Sequence, residues 1–360
     1  MLKIAIVFIL LNFPGFSCAA ENDEPKLILV TGGAGFIGSH VNEELHQQGY
    51  RTIVLDNLTT GNPKALVHGT FIHGDCGDSV LLDQIFTTYK VDAVMHFAAF
   101  IEVGESVQNP LKYYQNNVCK TLTLLDAMHR HNVNVFVFSS SAAIYGMPIV
   151  TSVVETCPQH PINPYGHSKL MIETILQDMD SAYGFRSGCL RYFNVAGGDP
   201  SGKLKNYQTK PLNLIPIVLR SLHNPDTQIT IFGTDYPTLD GTCVRDYIHV
   251  MDLASAHLAS LERLLAGGPS HAYNLGNGRG YSVGEVIAAV EKVTGQHVNV
   301  IEGAPREGDP AILIANAEKA MEELGWQPLY PSIESMVEHA WMAIHDYPIE
   351  DSSEIFAEAM

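Results

Sequence analysis

Residues 27–38 read LILVTGGAGFIG, so that an apolar, β-branched run leads directly into a cluster of glycines. A helical pattern of apolar residues that includes Val41 and Leu45 comes next. A strand, a tight glycine turn and a helix in this order form the unit that holds the pyrophosphate of a dinucleotide at the N-terminus of the helix. The stretch therefore predicts an α/β fold with a doubly wound parallel sheet and a bound dinucleotide.

The glycines are spaced as G-x-G-x-x-G from Gly33 to Gly38, and Gly32 precedes them. We expect either Gly32 or Gly33 to permit the tight turn. Gly35 is expected to let backbone N–H groups approach a pyrophosphate, and Gly38 to let the helix pack closely on the strand. The alternative from this motif alone is a tight turn that binds no ligand.

Asp56 ends the next apolar run, at residues 52–55, about 20 residues beyond the glycines. An acid at this distance accepts hydrogen bonds from the adenosine ribose hydroxyls and repels a 2′-phosphate, so NAD is favoured over NADP. Neither Asn57 nor Leu58 supplies the arginine that a phosphorylated ribose would need. The alternative for Asp56 is a role in an ordinary turn.

The composition sets limits on size and partners. The chain has 360 residues, 46% of them hydrophobic and 17% charged, so it can bury a full core and is expected to form two lobes. The formal net charge of −18 argues against binding to nucleic acid or to an anionic membrane, because either needs a basic patch. An anionic small molecule would need only a few converging arginines.

The cysteines and histidines predict no metal site. Six cysteines and 16 histidines are spread along the chain, without the close spacing of a zinc site or the density of a disulfide framework. The cysteines are Cys18, Cys76, Cys119, Cys157, Cys189 and Cys243.

The first 20 residues have the three parts of a secretory signal: a positive start at Lys3, an apolar stretch at residues 4–13 and small residues near Ala19. The apolar stretch is too short to span a bilayer, which takes about 20 residues. The alternatives are a mis-assigned start or an extension without a function. Residues 1–25 are therefore taken as a signal-like segment and a polar linker.

Apolar runs alternate with helical patterns after residue 26, as a parallel sheet covered on both faces requires. The predicted helices are Ser79–Tyr89, Pro110–Arg130 and Pro164–Tyr183.

The regular alternation of apolar runs and helical patterns ends at Asn194, and the loops after it are longer. This change predicts the domain boundary. We predict a dinucleotide-binding domain at residues 26–193 and a smaller lobe at 194–348, some of whose strands return to the first sheet. Residues 349–360 are predicted to be a tail.

A second motif, Tyr165-x-x-x-Lys169, follows Ser140 and Ser141, which lie just after a predicted strand. The spacing of four places the phenol and the ammonium on one helical face. A phenol with its usual pKa of about 10 is a poor base at neutral pH, but an adjacent ammonium and a positively charged nicotinamide both stabilise the phenolate. We therefore predict that Tyr165 is a general base and that Ser141 hydrogen-bonds the same substrate hydroxyl. The alternative is a chance match on an amphipathic helix.

With these motifs, the chain resembles the extended short-chain dehydrogenases/reductases of the NAD-dependent epimerase/dehydratase family, and within it the UDP-hexose 4-epimerases. The resemblance covers Lys26 to about Tyr347. Further matching segments are HFAA at 96–99, VGESV at 103–107, YYQNN at 113–117, SSSAAIYG at 139–146, LRYFN at 190–194, VRDYIHV at 244–250 and REGD at 306–309.

The resemblance implies NAD as the cofactor and a UDP-sugar as the substrate. The implied NAD contacts are Gly32, Gly35, Phe36, Ile37, Gly38, Asp56, Asn57, Asp75, Cys76, Phe97, Asn116, Tyr165, Lys169 and Tyr192. The implied substrate contacts are Ser140, Ser141, Asn194, Asn213, Leu214, Phe232, Arg245, Arg306 and Asp309. Arginines suit a diphosphate because they can bind it bidentately, although a surface ion pair is the commoner role of any one arginine.

Two positions depart from the family pattern. Ile101 stands where many members carry a lysine near the cofactor phosphates, so that contact is absent or replaced. Leu313 stands where Tyr, Cys or Ser often limits the space around the sugar C2 substituent, which leaves the fit of an N-acetyl group open. The resemblance also implies a homodimer formed through the helices near Pro110–Arg130 and Pro164–Tyr183.

The reaction implied is reversible oxidation at the sugar C4, with Ser141, Tyr165 and Lys169 as the catalytic residues. Epimerases of UDP-N-acetylglucosamine and of UDP-glucuronate remain alternatives. A 4,6-dehydratase needs an acid/base pair beside the serine, where this chain has Ala142 and Ala143. From other classes, a catalytically silent NAD-binding protein and a secreted binding protein are alternatives. The supply of NAD and nucleotide sugars favours the cytoplasm, and the signal-like residues leave secretion open.

Overall fold

The structure is a computed structural model that describes residues 24–208, 210–224, 226–306 and 309–344. The signal-like segment at residues 1–20, including Cys18, and the predicted tail at 349–360 lie outside the described residues. Within the described ranges, no helix is long and apolar enough to cross a membrane.

The strands of these ranges are β1 (Leu27–Thr31), β2 (Arg51–Asp56), β3 (Thr70–His73), β4 (Ala93–His96), β5 (Val135–Ser141), β6 (Ser152–Val153), β7 (Arg186–Tyr192), β8 (Asn194–Ala196), β9 (Ile229–Phe232), β10 (Val244–His249), β11 (His271–Leu275), β12 (Gly280–Ser282), β13 (Val300–Gly303) and β14 (Ile312–Ala315).

The α-helices are α1 (Phe36–Gln47), α2 (Ser79–Thr88), α3 (Val103–Gln108), α4 (Pro110–Tyr113), α5 (Lys120–Arg130), α6 (Pro164–Tyr183), α7 (Leu214–Ser221), α8 (Val250–Leu265), α9 (Val283–Thr294), α10 (Glu318–Leu324) and α11 (Ile333–Ile344).

Seven parallel strands form the larger sheet, in the order β3-β2-β1-β4-β5-β7-β11. In β1, Ile28 and Val30 pack in the cluster that contains α1 and α8, whereas Leu27 and Leu29 pack in the cluster that contains α2, α5 and α6. A strand buried on both faces must be apolar at successive positions, as this run is. The arrangement confirms the predicted doubly wound α/β fold.

The strand order reverses between β1 and β4, because the chain proceeds from β1 towards β3 on one side and from β4 towards β11 on the other. In open α/β sheets, the crevice outside the carboxyl ends of the strands at this point is where ligands bind. The glycine-rich turn follows β1, and Phe97 follows β4. The fold therefore brings these two segments to one crevice.

Helix α6 begins and ends where the sequence predicts. The Asn163 side chain caps it by accepting from the Gly166 N–H at 2.8 Å, Pro164 occupies its first turn, and Gly184 ends it with a left-handed φ of 67°. Helix α2 ends at Thr88, one residue earlier than predicted.

The helix predicted over Pro110–Arg130 is unbroken, but its middle, Tyr114–Cys119, is a π-helical segment between α4 and α5. In this wider turn the Asn117 side chain hydrogen-bonds both backbone groups of Phe100, each at 2.9 Å. Such segments are rare and are found mostly at functional sites, and this one faces the crevice through that loop.

The smaller lobe has a sheet in the order β12-β10-β14-β6, with β8 beside β10, and a separate pair of β9 and β13. Helices α7, α9 and α11 cover it around a core of their own. Elements cross residue 194 in both directions: β6 precedes it and joins the smaller lobe, while α8 and β11 follow it and join the larger sheet and its core. The two lobes are thus connected by several chain crossings.

We predict that Gly32→Ala destabilises the protein far more than Gly49→Ala. Both glycines have a left-handed φ, 73° and 83°, so both substitutions carry similar backbone strain. A Cβ on Gly32 would lie 2.5 Å from the Ala98 backbone nitrogen, whereas one on Gly49 would meet nothing within 4 Å. Urea unfolding should show a loss for Gly32→Ala at least about 2 kcal/mol larger. Equal losses would contradict the close contact.

Candidate active site

The glycine turn is held by backbone contacts that exclude side chains. The Gly32 N–H donates to the Leu55 carbonyl at 2.9 Å, and a Cβ on Gly38 would lie 2.4 Å from the Gly32 carbonyl oxygen. Of the two candidates for the tight turn, Gly32 has the left-handed φ. Gly35 is the N-cap of α1 and caps it with no side chain. The first N–H groups of α1 therefore face the crevice, an arrangement that fits a pyrophosphate.

Asp56 lies beside this turn at the end of β2. Its carboxylate accepts from the Ala34 N–H at 3.0 Å and from the Leu58 N–H at 2.8 Å, and it is buried. A carboxylate has about four acceptor positions, so two remain for ribose hydroxyls. The carboxylate also braces the turn, and its contact with a ribose stays a prediction.

Asp75 forms a second acidic centre at the same edge of the sheet. It accepts from Lys120 Nζ at 2.6 Å, from the Gly77 N–H at 2.8 Å and from Asn57 Nδ2 at 2.9 Å. Burial raises the pKa of Asp75, but these hydrogen bonds, led by that of Lys120, bring it below its ordinary value. Burial raises the pKa of the neighbouring Cys76 thiol to about 12, so it is not a reactive thiolate.

The loop after β4 closes the other side of the crevice. Phe97 packs on His257, with ring centroids 5.0 Å apart, and Asn116 donates to Asn117 Oδ1 at 3.0 Å. Ile101, which departs from the family pattern, is exposed.

His96 lies beneath this loop as a neutral buried side chain. The Thr121 hydroxyl donates to the Asn117 carbonyl at 2.8 Å, so it accepts from His96 Nε2 at 3.0 Å, and His96 Nδ1 accepts from the Thr31 hydroxyl at 2.7 Å. Burial lowers the pKa of His96 to about 3. The hydrogen bonds join β1, β4 and α5 just below the crevice.

Tyr165, Ser141 and Lys169 converge at the carboxyl end of β5. Lys169 Nζ donates to the Ser139 carbonyl at 2.6 Å and lies 5.8 Å from the centroid of the Tyr165 ring. Burial raises the pKa of Tyr165, and its hydrogen bond with Ser141 opposes that rise. Burial thus outweighs that hydrogen bond, and the predicted stabilisation of the phenolate depends on the positively charged nicotinamide as well as on the ammonium.

Lys169 is buried, and its pKa is lowered. Burial lowers the pKa to about 7, and the negative charge of Glu173, one helical turn further on, opposes that shift. A buried amine with a pKa lowered in this way can exchange a proton with a neighbouring group.

Ser140, predicted as a substrate contact, is buried and hydrogen-bonded within the protein. Neighbouring side chains of a strand point to opposite faces, so Ser140 points away from Ser141. Its hydroxyl is fully buried and donates to Glu173 Oε1 at 2.5 Å. Glu173 in turn forms a buried ion pair with Arg191, at 2.5 Å from Nη2.

Tyr192 lies beside the convergent residues. Its hydroxyl contacts the Ser139 hydroxyl, and burial raises its pKa.

The predicted diphosphate residues gather in the smaller lobe. Arg245 pairs with Asp309, and the Arg306 guanidinium lies 4.0 Å from the centroid of the Phe232 ring. Leu313 is directly opposite Arg245 in the pairing of β10 with β14. Both arginines therefore have an intramolecular partner. They lie in the same part of the smaller lobe as Leu313, the position predicted to limit the space around the sugar C2 substituent.

The remaining predicted substrate contacts lie at β8 and at the start of α7, in the smaller lobe. Asn194 donates to the Asp246 carbonyl at 3.2 Å, and Asn213 donates to the Val195 carbonyl at 3.4 Å. Leu214 begins α7, directly after Asn213.

Sequence analysis missed Lys120, Asn117 and Glu173. Lys120 and Glu173 each lie four residues after a predicted contact, Asn116 and Lys169, and so share its helical side. That spacing was available in the sequence. The role of Asn117 depends on the π-helical segment, which no residue pattern indicated.

Comparison with known proteins agrees with this geometry. Residues 28–276 match the family model described as "NAD dependent epimerase/dehydratase family". A curated UDP-glucose 4-epimerase of Halalkalibacterium halodurans is 51% identical, over 91% of this chain and 98% of that protein. The solved UDP-glucose 4-epimerase of Brucella ovis in complex with NAD is 43% identical with a TM-score of 0.85, covering 88% of this chain and 97% of that one. The Bifidobacterium longum enzyme in complex with NAD+ and UDP is 40% identical with a TM-score of 0.85, covering 90% and 99%.

The low pKa of Lys169 predicts a particular pH dependence of stability. The folded-state pKa of about 7 lies below the ordinary 10.5, so between these values the unfolded chain binds more protons and stability rises with pH. From pH 7 to pH 9, the wild type should gain about 2 kcal/mol more unfolding free energy than Lys169→Met. Urea unfolding at the two pH values measures this difference, and parallel changes in both proteins would contradict the shifted pKa.

Proposed function

Because this chain belongs to the NAD dependent epimerase/dehydratase family, we propose that it interconverts UDP-galactose and UDP-glucose at C4 of the sugar. It is an NAD-dependent isomerase, and the reaction belongs to galactose and nucleotide-sugar metabolism. The observation that carries the proposal is the convergence of Tyr165, Ser141 and Lys169 beside the crevice that the glycine turn faces.

The crevice fits NAD at several points. No side chain fits on Gly32 or Gly38, α1 begins without a side-chain cap, and Asp56 keeps acceptor positions beside the turn. These are the requirements for a pyrophosphate and for an unphosphorylated ribose. Lys120 and Asp75 supply a further charged pair beside Asn57, whereas Ile101 is exposed and supplies no charge.

The proton chemistry belongs to Tyr165. NAD, held at the glycine turn and Asp56, would supply the hydride acceptor and donor for C4, and its nicotinamide would supply a positive charge that favours ionisation of Tyr165. Tyr165 takes the proton of the 4-hydroxyl, and Ser141 holds that oxygen by a hydrogen bond. Lys169, with its pKa of about 7, adds positive charge beside the phenolate when it is protonated. The sugar passes through a 4-keto form, and Tyr165 returns the proton after the ring presents its other face.

The substrate is held at its nucleotide end. Arg245 and Arg306 each have an intramolecular partner, Asp309 and Phe232, which orients the guanidinium groups. Arg245 keeps further N–H donors for a diphosphate. A firm hold on UDP and a loose hold on the hexose let the ketone turn over between the two transfers.

The choice of sugar is the part of the proposal with alternatives. Leu313 lies opposite Arg245, and its intermediate size leaves open whether an acetamido group fits beside it. A uronate epimerase would need a site for the C6 carboxylate. The silent NAD-binding protein is disfavoured because Tyr165, Ser141 and Lys169 are in contact or adjacent.

The proposed function predicts that the protein converts its UDP-sugar without added reductant. The protein from Lys26 onward should convert UDP-galactose to UDP-glucose, as followed by NMR, because no net redox change occurs. UDP-N-acetylgalactosamine and UDP-galacturonate are tested in parallel. Conversion of the second sugar as well would show that Leu313 leaves room at C2. Conversion of UDP-galacturonate alone would replace the proposal with a uronate epimerase.

The assignment of Tyr165 as the general base predicts the behaviour of Tyr165→Phe. This variant should lose conversion by at least about 100-fold, because loss of a general base costs 10²–10⁴-fold, while it still binds NAD. The control is Tyr183→Phe, at the exposed end of the same helix, which should behave as the wild type. Full activity of Tyr165→Phe would contradict the assigned base.

We further propose that the chain forms a homodimer through α4, α5 and α6 and that it acts in the cytoplasm, where NAD and nucleotide sugars are supplied. These helices expose large apolar side chains: Leu111 is 72% exposed, and Leu122 and Met171 are each 43% exposed. Exposed apolar groups on adjacent elements are typical of an interface.

The dimer predicts that Leu122→Glu combined with Met171→Glu gives a monomer in sedimentation velocity. A charge at a buried interface position is unfavourable because it is desolvated without a partner. Leu239→Glu is the matched control, since Leu239 is fully exposed in the smaller lobe. A wild-type monomer, or a double variant that stays dimeric, would contradict this interface.

A further inference from the structure

The segment from Asp199 to Gln208, between β8 and α7, crosses from the smaller lobe to α1. It begins with a turn organised by the buried Asp199, which accepts from the Ser201 N–H at 2.9 Å and from the Leu204 N–H at 2.9 Å. Leu204 is almost fully buried. The segment therefore has a defined path and is not a loose surface loop.

An ion pair across 160 residues of sequence attaches the segment to α1. Lys203 Nζ donates to Glu43 Oε1 at 2.6 Å, and the Glu43 side chain is only 5% exposed. Gln47 also donates to that oxygen, at 3.1 Å, and His68 Nε2 lies 3.2 Å from Lys203 Nζ. Burial raises the pKa of Glu43, but the hydrogen bonds of Lys203 and Gln47 bring it below its ordinary value.

The same segment continues along the nucleotide crevice. Lys205, Asn206 and Tyr207 line a cavity together with Gly35 and Phe36 at the start of α1. Asn206 is fixed in turn, since its N–H donates to the Ala343 carbonyl at 3.1 Å. A ligand at the N-terminus of α1 thus has the segment as its outer wall.

We propose that Lys203 and Glu43 are cofactor-retention residues. Their ion pair holds the Asp199–Gln208 segment over the start of α1 and so slows the release of NAD. This inference rests on the proposed function, because it takes NAD as the ligand of the crevice. Lys203 contacts none of the reacting groups, so it is a positioning residue that acts through the segment it anchors.

The test measures NAD release from the purified holoenzyme. The protein is freed of unbound nucleotide and incubated with an NAD-hydrolysing enzyme, and the protein-bound NAD that remains is quantified over time by chromatography. Lys203→Met should release NAD at least about tenfold faster, because the segment loses its ion pair with α1 while Glu43 stays buried without its cation. Lys203→Arg, which keeps the charge, should stay close to the wild type.

Two controls separate retention from general damage. Lys292→Met breaks an exposed ion pair with Glu334 far from the crevice and should release NAD as the wild type does. Saturating NAD should restore the kcat of Lys203→Met, because the reacting groups are intact. Unchanged release from Lys203→Met would overturn the inference and leave the proposed function standing. A wild-type protein that takes up no NAD would overturn the proposed function itself.

Discussion

The close approach of Gly32 to the backbone of Ala98 is the constraint on which the nucleotide site depends. β1 and β4 are neighbours, and their chains leave the sheet at the same edge in opposite directions. The loops that follow β1 and β4 can approach each other this closely only because Gly32 has no Cβ. With the turn fixed there, α1 begins directly after Gly35 and presents its free N–H groups to the crevice, and Asp56 reaches the turn from β2. Cofactor binding is in this sense a consequence of backbone packing.

A layer of buried polar groups then positions the reacting residues. Glu173 binds Ser140 of β5 and Arg191 of β7, and it lies on the same helix as Tyr165 and Lys169. A buried ion pair costs much to desolvate, so its benefit in this protein is geometric: we infer that it fixes the rotation of α6 against the sheet. That rotation places Lys169 on the Ser139 carbonyl and Tyr165 on Ser141. The same negative charge opposes the effect of burial on Lys169.

Much of this could be predicted from the sequence, because the informative patterns are local. The apolar run 27–30, the glycine spacing and the caps of α6 at Asn163 and Gly184 each depend on a few adjacent residues. The parts that sequence analysis missed depend on distant pairings. The inward position of Ser140 follows from strand pleating against Glu173, and the π-helical segment follows from the contact of Asn117 with Phe100. The direction of the pKa shift of Tyr165 also depends on how deeply the side chain is buried, which no sequence motif reports.

The most direct test of the account follows the hydrogen at C4. UDP-galactose carrying deuterium at C4 is incubated with the purified protein in ordinary water, and the UDP-glucose formed is analysed by NMR. If the hydrogen leaves C4 and returns to its opposite face within the closed site, the product keeps its deuterium at C4. Replacement of the deuterium by solvent hydrogen would mean that C4 is inverted through proton exchange, and this would contradict the roles of Tyr165 as the base and of NAD as the hydride acceptor.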